Sequence, residues 1–258
     1  MSGGGDKVAL VTGAGKRLGR SIAMALAAAG YRVAVHYNAS GAAAAEVVSE
    51  VEGNGGSAVA IGRDLADVAG AGALVADAAA ALGPVTLLVN SASYYDSDSL
   101  SDLTPESWRA LTDVNVAAPV MLMQAFARQF EEGRAPPAGA SIVNLLDVQL
   151  SAPSPEFFSY FCAKAAFETA TRLAALELAP HIRVNAVAPG LVLPSWGQTP
   201  AAFAARQALT PLGEGLGAAD IVEAVRYLAD ARHVTGQVIA VDSGQRLYGF
   251  GNADVTPR

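Results

Sequence analysis

With 258 residues, 52% hydrophobic and 16% charged, the chain has material for one large buried core and too little charge for intrinsic disorder. A formal net charge of −7 argues against a nucleic-acid surface, which needs clustered lysine and arginine. One cysteine, Cys162, excludes an internal disulfide and fits a reducing compartment.

Residues 1–7 are polar and glycine-rich, and the apolar run after them, Val8–Val11, is too short for a signal-peptide core. No stretch reads as the roughly 18 uncharged apolar residues of a membrane span, so a soluble cytoplasmic protein is expected. Val8–Val11 reads as a strand ending in a glycine turn, and residues 21–29 as an Ala-rich helix stopped by Gly30. A second strand covers 33–37. Residues 46–51 lie on a helix ending near Gly53, and 58–61 form a third strand closing on Asp64. Residues 68–82 are helical up to Gly83-Pro84, a strong stop. A fourth strand at 86–89 runs into Asn90.

Residues 104–132 carry helix signals, with Thr104 as N-cap and Pro105 in the first turn. The fifth strand is 141–146, followed by a long helix over 156–179 that Pro180 ends. The sixth strand is 182–187. Residues 188–217, rich in Gly and Pro, read as a loop with a short helix, of which 190–217 is the expected substrate loop. A helix at 219–228 and a strand at 237–241 close the pattern. Residues 135–139 read as a loop rather than a domain border, so 1–258 is one domain. The alternation predicts an α/β fold: a doubly wound, Rossmann-like parallel sheet with helices on both faces. Ligands of such sheets bind at the carboxyl ends of the strands, where Asn90, Asp147 and Pro189-Gly190 fall.

After the first strand comes Thr12-Gly13-Ala14-Gly15-Lys16-Arg17-Leu18-Gly19, then a helix. Glycines at that turn let the backbone approach a pyrophosphate at the helix N-terminus. The second strand ends in His36-Tyr37-Asn38-Ala39-Ser40, with no carboxylate to hold a ribose 2′-hydroxyl. Lys16 and Arg17 add positive charge, which suits a 2′-phosphate and points to NADP(H). His36, His181 and His233 show no ligand spacing, so no metal is expected.

Tyr160 and Lys164, four residues apart on the long helix, share a face. A cation there is expected to lower the phenol's pKa of about 10 toward the operating range of a general acid or base. Asp147 lies thirteen residues before Tyr160, and Asn115 lies mid-helix, where it can extend a proton relay. Cys162, on another side of its helix, reads as structural.

Together with Asp64-Leu65, Asn90-Ser91-Ala92 and Val234-Thr235-Gly236-Gln237, these features resemble the short-chain dehydrogenase/reductase family over nearly the whole chain. The resemblance implies that Gly13, Lys16, Arg17, Leu18 and Gly19 bind the cofactor's phosphates and His36, Tyr37, Asn38 and Ser40 its adenosine end. It places Asp64-Leu65 beside the adenine and Asn90, Ser91 and Ala92 along the cofactor. Lys164 would hold the nicotinamide ribose, Pro189-Gly190 would border the nicotinamide, and the protein would be a homotetramer.

Two departures narrow the resemblance to pteridine reductases and dihydromonapterin reductases. Arg17 replaces the loop's usual middle glycine, and Asp147 replaces the usual serine. Ala39 stands where those enzymes place an Arg on the 2′-phosphate, and Tyr95 where a Phe stacks on the pterin. The implied substrate contacts are Arg17, Ser93, Tyr95, Asp147 and Tyr160, with Tyr94 and Trp196 in nearby loops. A carboxylate repels the alkoxide of ketone reduction, whereas a buried carboxyl with a raised pKa can carry a proton to a ring nitrogen. The reaction expected is therefore NADPH-dependent reduction of a dihydropterin or dihydrofolate-type C=N bond, with Tyr160 and Asp147 supplying the proton. The alternatives are a general carbonyl or 3-oxoacyl reductase and a non-catalytic NADP(H)-binding protein.

Overall fold

The strands are short, rich in Val, Leu and Ala, and buried on both faces, a pattern that only a sheet covered on both sides satisfies. The computed structural model describes residues 7–130, 139–194, 197–213 and 215–247. The expectations placed on residues 131–138 and on Trp196 lie outside the described residues.

In chain order the elements are β1 (Val8–Val11), α1 (Arg17–Ala28), β2 (Arg32–Tyr37), α2 (Gly41–Gly53), β3 (Ala58–Gly62), α3 (Val68–Ala71), α4 (Ala73–Leu82) and β4 (Leu87–Asn90). There follow α5 (Pro105–Thr112), α6 (Ala118–Arg128), β5 (Ser141–Leu145), α7 (Phe158–Glu177), β6 (Arg183–Pro189), α8 (Pro200–Gln207), α9 (Ala218–Asp230) and β7 (Val238–Val241). The strands are all parallel, in the order β3-β2-β1-β4-β5-β6-β7. Leu10, Leu88, Ile142 and Val184 face one layer, with Leu74 of α4, Phe126 of α6 and Phe167 of α7. Val11, Val33, Val89 and Val143 face the other, with Ile22 of α1, Val47 of α2 and Ile221 of α9. Each such side chain, fully buried, contributes roughly 1.5–3 kcal/mol. The strand order reverses between β1 and β4, which opens a crevice at their carboxyl ends.

Two boundaries differ from the sequence reading in ways that matter for the site. Helix α1 begins at Arg17 rather than near Ser21, so the glycine loop passes directly into its first turn. The helix expected over 104–132 is interrupted by a π-helical turn, Asp113–Ala117. Within that turn the Asn115 side chain donates to the Leu111 carbonyl (Nδ2 to O, 2.9 Å), and Pro119, in the first turn of α6, has no N–H to give to the Asn115 carbonyl. By length and composition the run Pro105–Arg128 is apolar enough to cross a bilayer, although Asp113 keeps it from being an uncharged stretch. In this fold its Leu122 and Phe126 are buried in the core beside the sheet.

Candidate active site

The crevice between β1 and β4 is a cleft of about 630 Å³. It is lined by the loop residues Gly13, Lys16, Arg17, Leu18 and Gly19, by His36, Tyr37, Asn38, Ala39 and Ser40 after β2, and by Asp64 and Leu65 after β3. Ser91, Ala92, Ser93, Tyr94, Tyr160, Lys164 and Pro189 line its other end. Two glycines are required for this shape. A Cβ on Gly19 would stand 2.3 Å from the Gly13 carbonyl oxygen, and one on Gly13, whose φ is +65°, 2.9 Å from Ala92 Cα. The loop is also held from below. His36 Nδ1 accepts the Gly13 N–H (3.1 Å) while Nε2 pairs with the Arg63 carbonyl (2.9 Å). Thr12 Oγ1 accepts the Ser91 and Ala92 N–H groups, both at 2.9 Å. His36 is therefore buried under the loop, and burial pushes its pKa down.

No carboxylate follows β2. Asp64 lines the cleft, but its Oδ1 already accepts from Asn38 Nδ2 (3.3 Å) and the Ala66 N–H (2.9 Å). Of the residues expected at the cofactor, Asn90 does not line the cleft, nor does the expected relay residue Asn115. Asn90 Nδ2 donates to Asn144 Oδ1 (2.9 Å) within the sheet. Asn115 is a satisfied amide: Nδ2 donates to the Tyr94 carbonyl (2.6 Å) and the Leu111 carbonyl, and Oδ1 accepts from Ser93 Oγ (2.7 Å) and the Tyr94 N–H (3.2 Å). It clamps the segment that carries Ser93 and Tyr94.

A second cavity, of about 530 Å³, adjoins the first. Arg17, Ser93, Tyr94 and Tyr160 line both, so the two communicate through these four residues. Tyr95, Asp147, Gln149, Gly190, Leu191 and Gln245 line only the outer one. Gly190 thus borders the outer cavity, while Pro189 borders the inner.

At the junction the Tyr160 hydroxyl donates to Asp147 Oδ2 (3.0 Å), and Asp147 Oδ1 accepts the Gln149 N–H (2.8 Å). Asp147 thus caps the turn Val148–Ser151 with one oxygen and meets the phenol with the other. Burial pushes its carboxyl up, against the opposing pull of the Gln149 N–H, Lys164 and Tyr160. The expectation that Lys164 acidifies Tyr160 is reversed. Burial, then Asp147, drives the Tyr160 phenol well above its ordinary value, and Ser93 pulls weakly the other way. Lys164 lies 5.7 Å from the Tyr160 ring centroid and donates to the Leu145 carbonyl (2.9 Å). Its own burial lowers its pKa to about 8. A neutral phenol hydrogen-bonded to a carboxyl group whose ionisation burial also opposes is the arrangement these pressures favour.

Tyr95 lines the outer cavity, where it stacks on Phe157 (4.7 Å between centroids, 23° between planes) and meets Tyr160 edge-on (4.8 Å, 85°). Tyr94 and Tyr160 are the aromatics that line both cavities. Arg17 takes a left-handed backbone (φ +52°) and its guanidinium donates to the Pro194 carbonyl (3.0 Å). Cys162 is half-buried, and burial raises its thiol. Thr12, Gln149 and Gln245 are polar residues at the site that sequence reasoning did not single out. For Thr12 the signal was its place at the strand end. For Gln245 no local signal exists.

The family model for short chain dehydrogenases matches residues 7–201. Pteridine reductase 1 of Leishmania tarentolae is 35% identical over 281 residues, covering 93% of this chain and 96% of its own. The 3-oxoacyl-[acyl-carrier-protein] reductase of Staphylococcus aureus is 34% identical over 246 residues, covering 93% and 98%. Among solved structures, alternative dihydrofolate reductase 1 from Brucella suis in complex with NADP superposes with a TM-score of 0.89 at 35% identity, over 97% of this chain and 99% of that one.

Proposed function

The chain belongs to the short-chain dehydrogenase family of oxidoreductases, and from that premise we propose that it is an NADPH-dependent reductase of a dihydropterin or dihydrofolate-type C=N bond. The single observation that carries this reading is the Tyr160–Asp147 hydrogen bond inside the outer cavity. A carboxyl there opposes a developing alkoxide but suits a nitrogen that must gain a proton.

The inner cleft fits a dinucleotide, because Gly19 and Gly13 leave the backbone bare where a Cβ would collide. Gly13, Lys16, Arg17, Leu18 and Gly19 would hold its pyrophosphate at the α1 N-terminus. Lys16, Tyr37, Asn38 and Ser40 would take the 2′-phosphate, since the one carboxylate nearby, Asp64, is already engaged. Leu65 would pack on the adenine, and Lys164 and Tyr160 would hold the nicotinamide ribose. NADPH, when bound, supplies the hydride.

The chain's own residues supply the rest. Burial discourages both Tyr160 and Asp147 from ionising, so the pair starts with two protons; one passes to the ring nitrogen of the substrate and the pair keeps the other, with a single negative charge. Lys164, Ser93 and Asn115 keep the phenol and its segment in place. Tyr94, at the boundary of both cavities, offers a face on which a flat ring stacks. A homotetrameric, cytoplasmic enzyme belongs to the same reading, on family resemblance alone.

A second reading, a 3-oxoacyl or general carbonyl reductase, is favoured by the nearly equal identity to the Staphylococcus aureus reductase. An NADPH-consumption assay over dihydrobiopterin, dihydromonapterin, dihydrofolate and a simple ketone decides between them. Turnover of the reduced pterins or dihydrofolate is the expected result. Turnover of the ketone alone overturns the reading.

A further inference from the structure

Gln245 opens the last described turn, Gln245–Leu247, well beyond the stretch the family model matches. It is 8% exposed, yet it lines the outer cavity together with Asp147 and Tyr160. Its Oε1 accepts the Leu191 N–H (3.1 Å). That bond sets the orientation of the amide, because only the oxygen can face an N–H donor. Gly190 makes room for it: a Cβ there would stand 2.7 Å from Gln245 Oε1.

The other end of the amide is different. Nε2 carries two hydrogens, and among the described residues no acceptor takes either. Nε2 is not one of the sealed, unpartnered polar atoms of the interior, so it opens onto the outer cavity that Gln245 lines. Nor is the amide needed to hold the loop by itself. Gln207 Nε2 donates to the Leu191 carbonyl (2.6 Å) and the Leu216 carbonyl (2.8 Å), and Arg17 holds Pro194.

We propose that Gln245 Nε2 is a substrate-recognition donor that gives a hydrogen bond to a carbonyl oxygen or unprotonated ring nitrogen on the heteroaromatic edge of the substrate. The inference rests on the proposed function. Asp147 and Gln245 place an acceptor and an oriented donor on one cavity wall. An amino-oxo-pyrimidine ring offers both matching groups on its rim. An aliphatic ketone has a single oxygen, which Tyr160 would take, and leaves Nε2 unpaired. Gln245 therefore selects a polar heterocycle over a simple ketone.

Two variants of the full chain separate recognition from loop positioning. Gln245→Glu keeps an oxygen for the Leu191 N–H and removes the donor. Gln245→Leu removes both. Steady-state kinetics with dihydrobiopterin and NADPH are read beside NADPH affinity and Tm. The expected result is a KM for dihydrobiopterin raised on the order of 10-fold or more in both variants. NADPH affinity is expected to stay unchanged in both, and Tm to fall in both, in Gln245→Glu through the buried carboxyl and in Gln245→Leu through the unpaired Leu191 N–H. A wild-type KM in Gln245→Glu, with a loss only in Gln245→Leu, shows that the residue merely positions Leu191 and overturns the donor role alone. A wild type inactive on both dihydrobiopterin and dihydrofolate overturns the proposed function, and the donor role with it.

Discussion

The Tyr160 hydroxyl donates to Asp147 Oδ2 at 3.0 Å, in a place where burial opposes ionisation of both groups. If this pair delivers the proton, Asp147→Ala removes half of the relay without touching the inner cleft. Turnover of dihydrobiopterin is expected to fall by about 10²–10⁴-fold, the usual span of one general acid. NADPH affinity, measured by fluorescence titration, is expected to hold. Full turnover in the variant refutes a chemical role for the carboxyl and leaves it as the cap that meets the Gln149 N–H.

Lys164 links activity and stability to pH in opposite directions. Burial lowers its pKa in the fold to about 8 from an ordinary 10.5. Between those values the unfolded chain binds the proton and the folded chain does not, so this group's contribution to stability rises with pH across that window. The charge that would hold the ribose disappears over the same range. kcat/KM for NADPH is expected to fall as pH rises through about 8, and Lys164→Arg is expected to move that limb upward. An unmoved limb in the arginine variant assigns the titration to another group.

The Tyr160–Lys164 pair and the glycine loop were legible because their spacing is local: four residues along one helix, and one strand-to-helix turn. The acidity of Tyr160 was not. Spacing places Lys164 near the phenol but says nothing of the burial around it, and burial outweighs the cation. Asn115 pins the Tyr94 backbone from 21 residues away, a pairing that its mid-helix place does not announce. The π-helical turn in which Asn115 sits was not legible either. Gln245 reaches Leu191 across 54 residues, a pairing no local pattern carries.

Arg17 pays for its place. A left-handed backbone costs a non-glycine residue about 1–2 kcal/mol. Arg17→Gly relieves that strain and loses an exposed bond to the Pro194 carbonyl of about 0.5–1.5 kcal/mol, so Tm is expected to change little. Function is expected to suffer instead, since the guanidinium lines both cavities. KM for NADPH and for dihydrobiopterin should each rise on the order of 10-fold, about the loss of one charged hydrogen bond. Wild-type kinetics in the glycine variant make Arg17 a loop residue only.

His36 makes the cofactor loop sensitive to acid. Its Nδ1 must be unprotonated to accept the Gly13 N–H, and Nε2–H then donates to the Arg63 carbonyl. Burial lowers its pKa below the ordinary 6.5. As pH falls below that value the unfolded chain takes up the proton first, so the stability this group contributes is lost toward acid. Protonation also turns Nδ1 into a donor facing a donor, which releases Gly13 from a conformation only glycine tolerates. His36→Leu leaves the Gly13 N–H unsatisfied, at a cost of about 1–3 kcal/mol at neutral pH. The variant is expected to have a lower Tm, weaker NADPH binding and a shallower fall of Tm between pH 7 and 5. Thermal melts across that range, with and without NADPH, read all three. An equal slope in wild type and variant places the acid sensitivity in another group.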